Sequence, residues 1–456
     1  MSQATATFPP DLERSFSHAV LSWVGDDGYP MSVASRFAVK NERVVLHEIG
    51  EVVSPPSGRD VNVIFSHIRP RPGEGYDERR YISAWGRLRR AGGTVEFTST
   101  GSYHWDEKET PFFQYSELTV PQAHRFLGEL SERRGETVKP KLAAGWLFLR
   151  ATRLPFLTAT AVPVFLGVAA AARRGPFRPG LALLTLLAAC FIHLGLNVAN
   201  DVFDDASGAD EANTRPTQFS GGSRVIQYGL VSRKAMALMA AGFYAAGIGI
   251  GLYLAATSGF WALFWLGVVG VFISIAYTAP PLRLVHRGIG EVVVALGFGP
   301  IVTLGAFYVQ AQRYTWEALY ASLPVALLIA LVLYLNEIPD RTADAVAGKR
   351  TLPVRWSKPG VLRGYALAVA ATYGLIVGGV ASGVMPVPAL TALVTIPMAI
   401  GVYKGAREAY DDPYALMPAM AKNIQLHLAT GMLLVLGFVA STAAHHLADD
   451  VPRLLR

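Results

Sequence analysis

From about Leu154 onward the chain returns repeatedly to apolar runs long enough to cross a bilayer, and this repetition constrains the fold more than any other feature. Crossing the hydrocarbon core takes about 20 apolar residues as a helix, because lipid leaves no partner for an unpaired backbone N–H or C=O. Nine windows qualify, at roughly 154 to 172, 181 to 200, 235 to 256, 260 to 277, 292 to 309, 319 to 335, 365 to 382, 387 to 403 and 424 to 441. The expectation is a mainly α, polytopic membrane bundle of nine transmembrane helices over residues 141–456. A composition of 52% hydrophobic and 16% charged residues agrees with it.

Residues 1–140 have a different texture, alternating charged, aromatic and glycine-rich stretches. Strand-like runs occur at 19–24, 30–39, 41–48, 61–67, 81–90 and 93–100, separated by Gly, Pro and Asp turns, which predicts a small soluble antiparallel β-barrel. Residues 119–134 read as a helix, and VKPKLAAG leads into the membrane part. The hairpin GDDGYP followed by such strands resembles the pyridoxamine phosphate oxidase-like split barrel. His104, Trp105 and the stretch PFFQY at 111–115 are candidates to line a flavin or another flat cofactor, against the plainer reading of an apolar seam at a membrane or at a dimer formed through this domain. Met1–Pro10 shows neither a basic leader nor an apolar core, so no cleaved signal peptide is expected and the domain should stay in the cytoplasm.

Basic residues set the orientation. With the N-terminal domain inside, the inner loops hold Lys139, Lys141, Arg150 and Arg153, then Arg215, Arg224, Arg233 and Lys234, then Arg283 and Arg287, then Arg341, Lys349, Arg350, Arg355, Lys358 and Arg363, then Lys404, Arg407 and Lys422. That bias predicts a multi-pass protein of the cell membrane, N-terminus in and C-terminus out, with the long polar loops cytoplasmic. Arg173, Arg174 and Arg178 in the first outer loop run against it. The net charge of +7 lies in loops facing an anionic leaflet and does not mark a nucleic-acid binder. The single cysteine, Cys190, lies within an apolar run; it excludes an intrachain disulfide and reads as a buried, inert thiol.

Against this apolar background, NVANDVFDD at 197–205 is an anomaly, three carboxylates where a helix should be leaving lipid. Asn197, Asp201 and Asp205 recur at i+4 and so share a helix face, where like charges repel. A divalent cation reverses that cost, since carboxylate and amide oxygens are the ligands Mg²⁺ takes, together with substrate phosphates. Asn336, Asp340 and Asp344 in NEIPDRTAD repeat the same spacing after another even-numbered span, hence on the same side. SGGSR at 220–224 and Gly348-Lys349-Arg350 add cations and glycine turns beside the two clusters. Together these describe a pocket for a metal-bound polyphosphate at a membrane face, and the matching ligand is an isoprenyl diphosphate.

These residues resemble the UbiA superfamily of intramembrane prenyltransferases, through HLGLNVANDVFDDASGAD, GGSRVIQYGLVS, YTAPPLRLVHRGIGEVVVALGFGPIVTLGAFYVQ and NEIPDRTADAVAGKRTLPVR, across about residues 145–445. Within it the menaquinone branch, which prenylates 1,4-dihydroxy-2-naphthoate, is the nearest in pattern; 4-hydroxybenzoate or another aromatic is the alternative acceptor. The resemblance implies that Asp201, Asp205, Asp340 and Asp344 hold Mg²⁺, and that Asn197, Asn200 and Asn336 support the ligand shell or the diphosphate. It further implies that Arg224, Lys349 and Arg350 neutralise the leaving diphosphate, and that Tyr277, with Tyr334 as a second candidate, faces the allyl cation. The family's Arg-Pro pair appears here as Arg150-Ala151 with Arg153 close behind, which leaves open which arginine faces the site.

Several residues admit plainer readings. His193 either orients the acceptor or the metal shell or is a packing residue; Glu291 is either a general base or acceptor-orienting group or part of an interfacial salt bridge; Asp204 and Asp210 read as tuning local charge. GIGIG at 247–251 follows no strand and reads as close helix packing. A cation-coupled transporter is the rival function, and it expects acids in mid-span, not beside basic loops.

Overall fold

The computed structural model describes all residues except 1–7, 10, 26–28, 41–42, 48, 50–59, 73–74, 92–93, 111, 139–142, 214 and 455–456. The tip of the GDDG turn, Lys139, Lys141 and Pro111 therefore lie outside the described residues. Two compact units divide at Leu118 and Thr119.

In the first unit, β1 (Ala19–Val24), β2 (Pro30–Ser35), β3 (Phe37–Lys40), β4 (Arg43–Leu46), β5 (Asp60–Arg71), β6 (Gly75–Ala91) and β7 (Thr94–Asp106) form one antiparallel sheet in the order β2-β1-β5-β6-β7-β4-β3. Side chains alternate along a strand, so Ala19, Leu21 and Trp23 of β1 and Val61, Val63 and Phe65 of β5 face one side. That side is the core of a half-barrel, shared with Val44, Leu46 and Phe97 and plugged by Leu12 and Phe16. The same alternation separates the proposed cofactor residues: Trp105 is buried and His104 exposed. Trp105 and Tyr115 pack on each other with ring centroids 4.8 Å apart. The expected helix begins earlier than residue 119, at Phe112, and runs to Arg134.

Among the described residues of the second unit, nine helices are long and apolar enough to cross a membrane: α1 (Leu154–Ala172), α2 (Pro179–Ser207), α3 (Arg233–Ser258), α4 (Phe260–Thr278), α5 (Gly290–Ala311), α6 (Trp316–Val346), α7 (Lys358–Ala381), α8 (Val387–Ala409) and α9 (Pro413–Ala444). All nine expected windows fall on them. α6 and α1 are the most enclosed, with 67% and 56% of their apolar windows buried, so they form the centre of the bundle. Water offers no partners here, so polar groups pair across helices. Tyr365 of α7 donates to Asn423 Oδ1 of α9 at 2.8 Å, Asn423 Nδ2 donates to the Leu331 carbonyl of α6 at 2.8 Å, and Tyr373, Thr395 and Thr430 form a hydroxyl chain.

The arginines that break the charge bias have a local explanation. Arg173 and Arg174 both pair with Glu317, a buried residue in the first turn of α6, with Arg174 Nε 3.0 Å from Oε2. Two of the three cations of this loop thus close one end of the bundle. The glycine run corrects the packing expectation in part. Gly247 is pressed against Ile192 and Ala188 of α2, but a Cβ on Gly249 or Gly251 would meet nothing within 4 Å among the described residues, and Gly251 borders a cavity.

Candidate active site

α2 carries the first acidic run on its last turns. Residues three and four apart share a helix face, so Asn197, Asn200, Asp201 and Asp204 form a continuous row. Gly208, in the left-handed conformation at φ 75°, then ends the helix and turns the chain back, which buries Asp210 beside that row. Asp201, Asp204 and Asp205 are all buried, at 2%, 5% and 7% exposure, deep enough that each needs a partner.

Those partners come from four segments. Asp201 pairs with Arg153 and accepts the Ser223 N–H at 3.2 Å. Arg153 occupies the left-handed joint between the helix Ala144–Thr152 and α1, and Asn197 Nδ2 donates to the Thr152 carbonyl at 3.1 Å. A member of the acidic row therefore fixes the joint that aims the arginine. Arg150 instead donates Nε to the Ser223 carbonyl at 2.8 Å and lies 5.1 Å over the Tyr228 ring. Of the two candidate arginines, Arg153 reaches a carboxylate and Arg150 braces the glycine loop.

Asp340, on the last turns of α6, accepts the Gly221 N–H at 2.9 Å and Asn213 Nδ2 at 2.8 Å. The loop 213–224 is thereby stitched to the second motif through Gly221 and to the first through Ser223. Gly221 and Gly222 adopt φ of 75° and 77°, and a Cβ on Gly222 would come within 2.9 Å of both Asp210 carboxyl oxygens. Only glycine lets the backbone pass this close. Arg224 donates to the Asp210 carbonyl, while its Nε has no partner among the described residues.

Lys349 joins the two motifs. Its ammonium, in a residue only 8% exposed, lies 2.9 Å from Asp204 Oδ2 and 3.8 Å from Asp344 Oδ1. Burial works against that cation, but Asp204 and Asp344 outweigh burial and raise its pKa above the ordinary lysine value. Burial likewise opposes the Arg153 cation and is outweighed by Asp201, Asp210 and Asp204. Asp210 carries the opposite consequence: burial, then the Asp204 and Asp201 charges, push its carboxyl up to about 8.

The i+4 reading needs one correction. Asp205 turns away to Arg233 and to Gln227 Nε2 at 3.1 Å, and it is Asp204 that reaches the second motif. A helix places i+3 on the face as readily as i+4, so Asp201 and Asp204 are the better-matched pair. Asn200 Nδ2 donates to Asp204 Oδ2 at 3.0 Å. Arg350 is exposed, with its N–H donating to the His286 carbonyl at 3.0 Å. Asn336 Oδ1 is buried without a hydrogen-bond partner among the described residues.

Among the described residues the carboxylates do not close into a ready-made metal cage; cations and N–H groups stand between them. The donor set nevertheless fits a divalent metal with a polyphosphate. Among the described residues Asp204 Oδ1 and Asn336 Oδ1 are buried, unpaired oxygens and Arg153 Nε and Arg224 Nε are buried, unpaired donors, and Lys349 occupies the position between two carboxylates that a cation must fill.

An apolar cavity of about 490 Å³ lies between α2, α3, α4 and α5, bordered by His193, Gly251, Tyr277, Phe298 and Ile301 among others. In its wall α5 widens into a π-type turn at Gly297–Ile301, which accommodates Pro300. His193 bonds Thr160 at 2.7 Å and meets the Phe298 ring at 4.6 Å. Tyr277 belongs both to this wall and to the acidic region, within electrostatic reach of Glu337, Glu291, Asp204 and Asp344. Tyr334, the second aromatic candidate, donates its hydroxyl to the Val361 carbonyl at 3.0 Å and packs on Trp356 away from the cavity. Sequence spacing left open the choice between Arg150 and Arg153 and missed Asp204 as the bridging acid and Glu337; the available signal was the i+3 offset and the oddity of an acid next to Asn336.

Residues 160–425, within the second unit, match the UbiA prenyltransferase family. A 1,4-dihydroxy-2-naphthoate octaprenyltransferase of Bacillus subtilis is 26% identical over 315 residues, covering 69% of this chain and 99% of that protein. A 2-carboxy-1,4-naphthoquinone phytyltransferase of Synechocystis is 27% identical over 294 residues, covering 64% and 92%. A solved UbiA homolog from Archaeoglobus fulgidus bound to DMAPP and Mg²⁺ is 16% identical, with a TM-score of 0.47 over 63% of this chain and 98% of that one.

Proposed function

The chain belongs to the UbiA prenyltransferase family, and from that premise we propose that it transfers a polyprenyl group from an isoprenyl diphosphate to 1,4-dihydroxy-2-naphthoate, with Mg²⁺, at the cytoplasmic face of the cell membrane. The observation that carries this reading is the convergence of two acidic motifs and a glycine loop around Lys349, joined to an apolar cavity by Tyr277. Relatives named for the naphthoate support the choice of acceptor.

Asp201, Asp204, Asp340 and Asp344 are the metal ligands in this proposal, with Asp205 set beside them through Gln227 and Arg233. When bound, Mg²⁺ neutralises the diphosphate and makes it a better leaving group. Arg153, Arg224 and Lys349 take its remaining oxygens, while Asn197 and Asn200 hold Arg153 and Asp204 in place. The prenyl tail lies in the apolar cavity, where water is excluded. The allylic C–O bond breaks and its electron pair leaves with the diphosphate. The Tyr277 ring faces the allyl carbon as positive charge develops. The acceptor ring carbon then forms the new C–C bond and releases its carboxylate as CO₂, the electron pair returning to the ring. A cation-coupled transporter finds less support, because the acids lie in the last turns of α2 and α6 beside basic loops. The proposal does not extend to flavin in the N-terminal domain, where Trp105 and Tyr115 pack on each other.

The test is an acceptor panel. Membranes containing the protein, given an isoprenyl diphosphate and Mg²⁺, should convert 1,4-dihydroxy-2-naphthoate to a prenylated, decarboxylated product by mass. Product from 4-hydroxybenzoate alone would reassign the acceptor, and ion uptake without product would sink the reading.

A further inference from the structure

Behind Tyr277 lies a group of polar side chains that the diphosphate clamp does not use. Glu291 opens α5 and Glu337 sits on α6, both only 6% exposed, with their carboxyls side by side. Glu291 Oε1 accepts the Leu352 N–H at 3.3 Å, which ties it to the loop that carries Lys349. Apart from the neighbouring Glu291 carboxyl, neither oxygen of Glu337 meets a hydrogen-bond partner among the described residues, and the buried Thr351 hydroxyl next to Leu352 is also unpaired. A buried carboxyl without a donor is a costly arrangement, and in a native fold it calls for a ligand that brings donors. Gly290, next to Glu291, lies beside the tyrosine: a Cβ there would stand 3.6 Å from Tyr277 Cε2, in ordinary contact.

We infer that Glu291 and Glu337 form the seat for the hydroxyl groups of the acceptor ring, beside Tyr277. This inference rests on the prenyl-transfer reading and assigns it an acceptor subsite. Three features fit an aromatic diol. The site is rich in acceptor oxygens, those of Glu291 and Glu337, the complement of a ring bearing O–H groups. It flanks the residue that also borders the prenyl cavity, so a ring seated there lies next to the allyl carbon. A hydroxyl that donates to a carboxylate gains electron density on its oxygen and passes it to the ring, which makes the ring carbon a better nucleophile. The pair therefore selects for hydroxylated rings and activates them, with no bond of its own made or broken.

The experiment compares wild type, Glu337→Gln and Glu291→Gln in membranes, with the dihydroxynaphthoate and with its mono-methyl ether. For Glu337→Gln the acceptor KM should rise about tenfold or more, while the KM for the isoprenyl diphosphate and the half-saturating Mg²⁺ concentration move less than about threefold. With the methyl ether, which has already lost one donor, the substitution should cost markedly less; Glu337→Asp should recover part of the loss. An unchanged acceptor KM in both variants, equal losses with both acceptors, or a Mg²⁺ requirement that climbs in step with the acceptor KM would overturn the inference, the last by making the pair metal ligands. If the wild type prenylates no aromatic at all, the underlying reading fails; if it does and the variants match it, only this subsite fails.

Discussion

Replacing Lys349 by Met tests whether a protein cation holds the place of the metal when none is bound. The ammonium stands 2.9 Å from Asp204 and 3.8 Å from Asp344. At an effective dielectric constant of about 20 those separations correspond to gross attractions of roughly 6 and 4 kcal/mol. Much of that offsets the desolvation of three charges, and removing one partner of a buried pair leaves a net loss of about 3–5 kcal/mol. For a unit of this size that is a fall of about 5–15 °C in Tm. Methionine keeps most of the side-chain volume, so lost packing contributes little. The assay is thermal unfolding in detergent with and without Mg²⁺. Without Mg²⁺ the variant should melt well below wild type; with Mg²⁺ it should recover by a larger shift than wild type shows, because the metal then neutralises Asp204 and Asp344 alone. Activity should stay low, since the diphosphate loses a cation. A metal-free Tm equal to wild type, or no extra recovery with Mg²⁺, would refute the reasoning.

Asp204→Asn should lower kcat/KM by about a hundredfold or more, the equivalent of some 3 kcal/mol, whereas Asp205→Asn, whose partner Arg233 is 55% exposed, should cost about tenfold or less; steady-state prenyl transfer measures both. Asp210 is protonated in the folded state up to about pH 8 against an unfolded value of 3.8, so unfolding releases a proton and stability falls as pH rises between those values. Asp210→Asn should flatten that slope by up to about 1.4 kcal/mol per pH unit, read from unfolding midpoints at pH 5.5 and 8.5 without Mg²⁺. Gly222→Ala forces a side chain into left-handed backbone at about 1–2 kcal/mol and against Asp210 besides; it should lower both activity and Tm, while Gly249→Ala, where nothing lies near a Cβ, should leave activity intact.

Much of this architecture is legible in the sequence because its physics is local. A bilayer demands length and apolarity, so all nine windows could be counted from Leu154 to the last helix. The strands of the half-barrel announce themselves by alternation at Ala19, Leu21 and Trp23. The site is legible as two acidic runs, but its internal assignments are not, because helical spacing fixes which residues share a face and not what they meet. Asp204 and Asp205 are equivalent by composition; a lysine arriving from 145 residues away separates them. Arg150 and Arg153 are separated by a left-handed joint that no pattern marks. Arg173 and Arg174 look misplaced until Glu317 is found opposite them. Glu337 stayed unseen because its meaning depends on Glu291, on a different helix.

The central claim is that the two motifs form one Mg²⁺-diphosphate clamp. Its most direct measurement is calorimetric binding of a non-reactive isoprenyl thiolodiphosphate to wild type, Asp204→Asn, Asp344→Asn and the double variant. Binding should require Mg²⁺, and the two losses should be strongly non-additive, coupled by about 1 kcal/mol or more. Binding that persists in EDTA, or losses that simply add, would contradict the account.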